Sequence, residues 1–384
     1  MVPEPHLRCL LLLARPRLEP AHVHALNGLL AAPDCDHAAL VARAREHHIS
    51  LLVQAHLRAH APQVLEAEAA IRLTRNCGIA RLRQMEQRRV QTEVLAVLVE
   101  LGAAHALLKG SVLGVRHYPD PLLRLSRDVD VLVAAAALAE ATRRLLARGY
   151  TVINKVWPAL DPPCIDALAS YTTAVELSAP SGVTVELHRT LDHSGCVFPP
   201  RRLLRERCEI GMHGLRVSAL HADTDMLYSL FHHARHEWTL LHWVADLQGF
   251  APRLDHAEVR ARAARHGLTV TLERALELAR QVDRLALDPA TAGDPGDCLA
   301  QAFPAWRDPA THAEHDHDAP PRSPDFRQAG QAGWRYRACF ELQRLHPTLD
   351  DYLAWPLPLR RRWLYYLSKP LRVLRRGGPR LGVT

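Results

Sequence analysis

From Pro20 to about Leu101 apolar residues recur at three- and four-residue steps, first Leu26, Leu29 and Leu30, then Leu40, Val41, Ala44, Ile49, Leu52 and Val53. That is the spacing of helices with one buried face. Pro33-Asp34 and Asn76-Cys77-Gly78 read as breaks between helices, and Met85–Leu101 as a long amphipathic helix ended by Gly102. Beyond Gly102 the pattern shortens. His105–Leu108 is expected to be a strand, Gly110–His117 a helix begun at a Lys-Gly-Ser turn, Tyr118–Arg127 a Pro-interrupted loop and Asp128–Val133 a second strand. Ala134–Arg148 reads as a helix capped by Gly149, Tyr150–Lys155 as a third strand, and Tyr171–Ser178 with Val183–Arg189 as a hairpin turning at Ala179-Pro180-Ser181-Gly182. From His221 the helical period returns, carried by Met226, Leu227, Leu230 and Phe231, then Leu240, Leu241, Val244 and Leu247, then Val259 through Val282. The expected class is α+β, a mixed sheet with helices against it.

Composition divides the chain further. Asp288 to Gly333 is rich in Pro, Gly, Asp and His, including HAEHDHDAPPRSPD, and reads as a linker or mobile loop. The expected segments are 1–101 helical, 102–220 the sheet-bearing domain, 221–287 helical, 288–333 the linker and 334–384 a basic helical end. Residues Arg360, Arg361, Arg362, Lys369, Arg372, Arg375 and Arg376 of that end are read as a surface helix, not a stacking platform for nucleic acid. The formal charge of +7 is spread along the chain among 41 acids, so it argues for anionic ligands such as nucleotides only weakly and disfavours nucleic acid as the partner. Eight cysteines without a C-x-x-C indicate neither a zinc ribbon nor a redox pair. No segment approaches the ~18 apolar residues of a membrane span, and a cytoplasmic location is expected.

Candidate chemistry concentrates in Ala106–Val133, ALLKGSVLGVRHYPDPLLRLSRDVDVLV. On a strand Asp128 and Asp130 share a face, their carboxylates about 6.5–7 Å apart along the chain, with Val129, Val131 and Val133 on the other. Two acids on an otherwise apolar strand repel unless neutralised, and a hard divalent cation such as Mg²⁺ suits such an oxygen pair. The basic residues add a clue: of 48, only Lys109, Lys155 and Lys369 are lysines. A compact ammonium beside Gly110 and Ser111 suits a phosphate where a broad guanidinium would not fit.

The order of Lys109-Gly110-Ser111, Asp128-x-Asp130 on a strand and Glu186 in VTVELH resembles the nucleotidyltransferase superfamily of the DNA polymerase β type. With FHHARHEW and LHWVADL downstream, roughly Val41–Gln281 resembles the uncharacterised bacterial nucleotidyltransferase family. The resemblance implies a nucleotidyltransferase-type sheet in 102–220 and transfer of a nucleoside monophosphate from an NTP to a hydroxyl-type acceptor, with pyrophosphate released. It implies Asp128, Asp130 and Glu186 as the catalytic ligands of Mg²⁺ (or Mn²⁺), and Lys109, Gly110, Ser111, Arg124 and Arg127 as the nucleotide-binding set. Helix N-terminal N–H groups at the turn suit phosphate oxygens. Two features depart from the superfamily pattern: the insert before Asp128 is longer, and the third acid is Glu. Glu176, on the other hairpin strand, competes with Glu186 for that role. The acceptor, whether small molecule, peptide or protein, is not readable.

Thr184, Glu186 and His188 share a strand face, which makes His188 a cleft candidate. His232-His233-x-x-His236-x-Trp238 lacks the glutamate of a zinc-protease motif, so His236, Trp238 and Asp246 are expected to line or brace a cleft closed by the helical half. Arg124 and Arg127 have an alternative role, pairing with Asp120 or with the acids of the site. The alternative function is a nucleotide-sensing or partner-binding module without turnover on the same fold.

Overall fold

The computed structural model describes residues 3–153, 161–192, 195–289, 297–308, 346–367 and 369, with isolated positions 334, 338 and 342. The expected strand end at Lys155, Cys339 and the His-rich run 312–318 lie outside the described residues. The chain forms two compact units: residues 1–85, 109–126 and 222–316 make the first, and 86–108, 127–221 and 317–384 the second.

The first unit is helical: α1 (Pro5–Leu13), α2 (Pro20–Leu30), α3 (His37–Glu46), α4 (Ser50–His60), the start of α5 (Ala67–Glu100), then α6 (Gly110–His117). The C-terminal part of α1, which carried no expectation of a helix, is a row of leucines, Leu10 to Leu13, fully buried. The break expected at Asn76-Cys77-Gly78 is absent, because α5 runs unbroken through it. Asn76 and Cys77 are buried there, Cys77 Sγ donating to Ser50 O at 3.3 Å, so tertiary contact outweighs the local weakness of the segment.

Packing in α6 needs its glycines. Gly110 has φ +27 and a Cβ there would stand 2.3 Å from Ser126 Oγ, while one on Gly114 would stand 2.8 Å from Pro121 O. These contacts seat α6 against the loop Tyr118–Ser126, which α5 holds in turn through hydrogen bonds from Gln84 Nε2 to Leu122 O (3.0 Å) and Arg124 O (3.1 Å).

The helical return expected after His221 is present as α10 (Ala222–Arg235), α11 (Leu241–Leu254), α12 (Ala257–His266) and α13 (Thr269–Leu287). The stretch read as linker also holds a helix, α14 (Asp297–Arg307): Trp306 is fully buried and its Nε1 donates to Trp238 O at 2.7 Å. Proline and glycine composition hid an anchor that a single buried indole supplies.

Charges in the interior of this unit come in satisfied sets. Asp246, fully buried, accepts from Arg124 Nε and Nη2 at 2.8 Å each and from Tyr118 Oη at 2.7 Å. Asp225, equally buried, accepts from Arg116 Nη1 at 3.0 Å and from Lys109 N at 3.3 Å.

The second unit carries the sheet. Its strands are β1 (His105–Leu107), β2 (Asp128–Val133), β3 (Thr151–Val152), β4 (Ala174–Ser178), β5 (Thr184–His188), β6 (Cys208–Met212) and β7 (Leu215–Ala219), in the order β3-β4-β5-β2-β1-β7-β6. Pairing is parallel for β2 with β5 and for β1 with β7 and antiparallel elsewhere, which makes the sheet mixed as expected. The remaining helices are α7 (Ala135–Leu146), α8 (Pro162–Tyr171) and α9 (Pro200–Arg205). Tyr171, expected to begin a strand, instead ends α8, whose N-terminus Asp161 caps by accepting from Cys164 N. The β6–β7 hairpin turns at His213-Gly214, both at positive φ, and carried no expectation from the apolar pattern.

Of the basic C-terminal residues expected on a surface helix, Arg360, Arg361 and Arg362 are exposed and Arg372, Arg375 and Arg376 lie outside the described residues, while aromatic residues of the same segment pack against α8. Tyr365 is fully buried beside Tyr171, Tyr352 and Leu357, accepts from Leu357 N at 3.0 Å and donates to Trp355 O at 2.7 Å.

Replacing Asp246 by Asn leaves the Arg124 guanidinium without its counter-charge in a dry interior, at a cost of about 3–5 kcal/mol. Denaturant unfolding of the full chain measures this. A second expectation concerns acid. Burial holds His47 and His117 at about 4 and His232 and His233 well below the usual 6.5. The unfolded chain therefore binds protons that the folded unit refuses, and stability present above about pH 6.5 is lost as pH falls toward 4. The melting temperature should drop between about pH 7 and pH 5, and His47→Gln should flatten that slope.

Candidate metal centre

Strand β2 is held in place from several directions. Its register with β1 pairs Ala106 with Leu132, Leu108 N donates to Asp130 O at 3.0 Å, and Gln87 Nε2, from α5, donates to Asp128 O at 2.9 Å. Its parallel register with β5 pairs Asp128 with Thr184, Asp130 with Glu186 and Leu132 with His188, and β5 in turn pairs Glu186 with Glu176 of β4. Cross-strand partners share a face, so Glu176, Glu186 and Asp130 form one row of three acids across three strands. On the other face Val129, Val131, Val175, Leu177, Val185 and Leu187 are buried. The alternation of the sequence thus puts these six apolar side chains on one face and the acids on the opposite one, where Leu132 is buried beside His188.

Along β5 the same period brings His188 next to Glu186. His188 Nε2 lies 2.8 Å from Asp130 Oδ1 and 3.1 Å from Glu186 Oε2. The ligand atoms of Asp130, Glu186 and His188 all fall within 4.8 Å of one another, with Asp130 and His188 buried and Glu186 half-buried. Burial on its own would lower the affinity of His188 for a proton, but hydrogen bonds to Asp130 and Glu186, and their charges, outweigh it and push the imidazole up to about 9. Protonated, His188 answers the charge of both carboxylates. A divalent cation offers the same compensation with more charge, and two carboxylate oxygens and one imidazole nitrogen are a donor set that such a cation accepts. The three residues can therefore hold a divalent metal.

Asp128 and Glu186 were expected beside Asp130 as the ligand set. The close group contains Asp130, Glu186 and His188, while Asp128 stands one pleat earlier, half-buried beside Thr184. His188, a cleft candidate by sequence, belongs to this close group. The signal for a ligand role was present in the sequence, since Glu186 and His188 are two residues apart on one strand face. Glu176 lies next to Glu186 in register but outside the close group.

In the first unit the Lys109-Gly110-Ser111 turn opens α6 as expected. Lys109 sits at φ +44, a conformation that costs a non-glycine residue about 1–3 kcal/mol. Its side chain is largely buried, with Nζ 5.4 Å from the centre of the Tyr228 ring. Arg124 is engaged by Asp246 rather than Asp120, and Arg127 is exposed at the entry to β2. Of the expected cleft residues of this unit, Trp238 and Asp246 are interior and brace the unit. His236 is exposed, its ring 4.7 Å from His232 and 5.3 Å from Trp243. Arg116, Tyr118 and Asp225, which complete the charged sets around the turn and the loop after it, were not singled out by sequence reading: Asp225 lies 109 positions from Arg116 and no local pattern joins them.

Among the described residues no helix is long and apolar enough to cross a membrane. A search of curated proteins finds no match. A family described as "Uncharacterised nucleotidyltransferase" matches residues 33–282, which take in the Lys-Gly-Ser turn, the whole metal-capable group and α10 and α11. With that match covering well over half of its length, the chain belongs to the uncharacterised nucleotidyltransferase family.

Proposed function

We propose that the protein transfers a nucleoside monophosphate from an NTP to a hydroxyl-type acceptor and releases pyrophosphate, with Mg²⁺ or Mn²⁺ bound by Asp130 and Glu186. The observation that carries this reading is the Asp130–Glu186–His188 group on paired central strands of a chain in a nucleotidyltransferase family. When bound, the cation supplies charge neutralisation for the triphosphate and lowers the pKa of a coordinated hydroxyl. Asp128, on the same face as Asp130, adds a further carboxylate toward the metal or the acceptor proton.

His188 acts as the positioning residue. Hydrogen-bonded to both acids through Nε2, it fixes their orientation as an outer partner of a metal site does. In the first unit, the N-terminus of α6 at Gly110 and Ser111 and the ammonium of Lys109 are the groups suited to phosphate oxygens. The backbone strain at Lys109 supports a role for that side chain, since glycine would adopt the same conformation without cost.

The test uses purified full-length protein with each labelled NTP, Mn²⁺ or Mg²⁺ and an extract of small-molecule and peptide acceptors. A labelled adduct and matching pyrophosphate are expected, and Asp130→Asn should lower the rate by roughly a thousandfold. Equal adduct formation by wild type and Asp130→Asn would refute the reading. His188→Gln should keep the fold by circular dichroism while weakening Mn²⁺ binding about 10- to 100-fold in calorimetry.

A further inference from the structure

The C-terminal segment 355–367 has two sides of different character. Tyr365, Leu357 and Tyr352 turn inward against Ala167 and Tyr171 of α8, and Lys369 pairs with Asp351 at 3.2 Å. This fixes which residues face out. The outward set is Trp355, Leu359, Trp363, Tyr366 and Leu367, between 38% and 65% exposed, interleaved with the exposed Arg360, Arg361 and Arg362. Trp363 and Leu367 are one helical turn apart, and the three arginines immediately precede them.

Leaving this much large apolar surface in water is costly, and large exposed patches mark contact sites. Three kinds of side chain coincide here. Indole and phenol rings suit a boundary between hydrocarbon and water, leucines suit hydrocarbon, and arginines suit phosphate while laying their stems along apolar surface. A stack of nucleobases would use the rings and arginines but leave Leu359 and Leu367 in water. We propose that this face docks on an anionic lipid surface, with the side chains of Trp363 and Leu367 entering the headgroup boundary and Arg360, Arg361 and Arg362 bound to lipid phosphates. Docking of this kind is peripheral and independent of nucleotidyl transfer.

The full-length protein is sedimented with vesicles of phosphatidylcholine alone or with phosphatidylserine. Binding should require phosphatidylserine and weaken as salt is raised. Arg360→Gln with Arg361→Gln and Arg362→Gln should reduce it about a hundredfold, and Trp363→Ser with Leu367→Ser about tenfold or more. Because these side chains point outward, both variants should keep the wild-type unfolding midpoint; if one does not, the other decides. Equal binding to both vesicle types, undiminished binding by the variants, or binding of single-stranded RNA through these residues with vesicles ignored would each overturn the proposal.

Discussion

A carboxylate can be taken out of water only where something answers its charge, and among the described residues Asp246, Asp225 and Asp130 show three different answers. Asp246 meets a two-point guanidinium contact and a tyrosine hydroxyl, Asp225 meets Arg116 and a backbone N–H, and Asp130 meets the imidazole of His188. The first two are closed: each acid lies in its unit's interior among fixed donors, and their effect is to specify how α6, the loop after it and the later helices fit together. The third differs in kind. Its imidazole is shared with Glu186, which keeps part of its surface in solvent, and an imidazolium is a compensator that can be lost to a base or replaced by a cation.

That difference separates structural from chemical charge here. Arg124 looks like a phosphate ligand when only its basic character and its place before Asp128 are considered. Its bidentate pairing with Asp246 spends its donors inside the helical unit. Gly110 likewise has a steric reason of its own, since Ser126 Oγ occupies the space of a side chain. Lys109 retains the opposite signature, a strained backbone under a residue that need not have been there.

Local pattern carried β2, the β4–β5 hairpin and the start of α6 well. Strand β2 and helix α6 lie where alternation and the Lys-Gly-Ser turn put them, and the Pro-Ser-Gly turn made the β4–β5 hairpin legible. Two of the errors share one cause. Asn76-Cys77-Gly78 is a poor local helix that burial of Asn76 and Cys77 holds straight, and Asp297–Arg307 sits in linker-like composition yet is fixed by Trp306. In both, energy from residues far away in sequence overrode local preference.

For the site, the sequence by itself determined which face each strand residue takes, because a period of two is a property of extended backbone. It therefore determined that Asp128 and Asp130 look one way, and Glu186 and His188 likewise. Only the tertiary structure decided that β2 and β5 are parallel neighbours with Asp130 opposite Glu186, since strand register depends on sheet order and not on either strand. That register brings His188 between the two carboxylates and turns a pair of acids in the sequence into a group able to hold a metal.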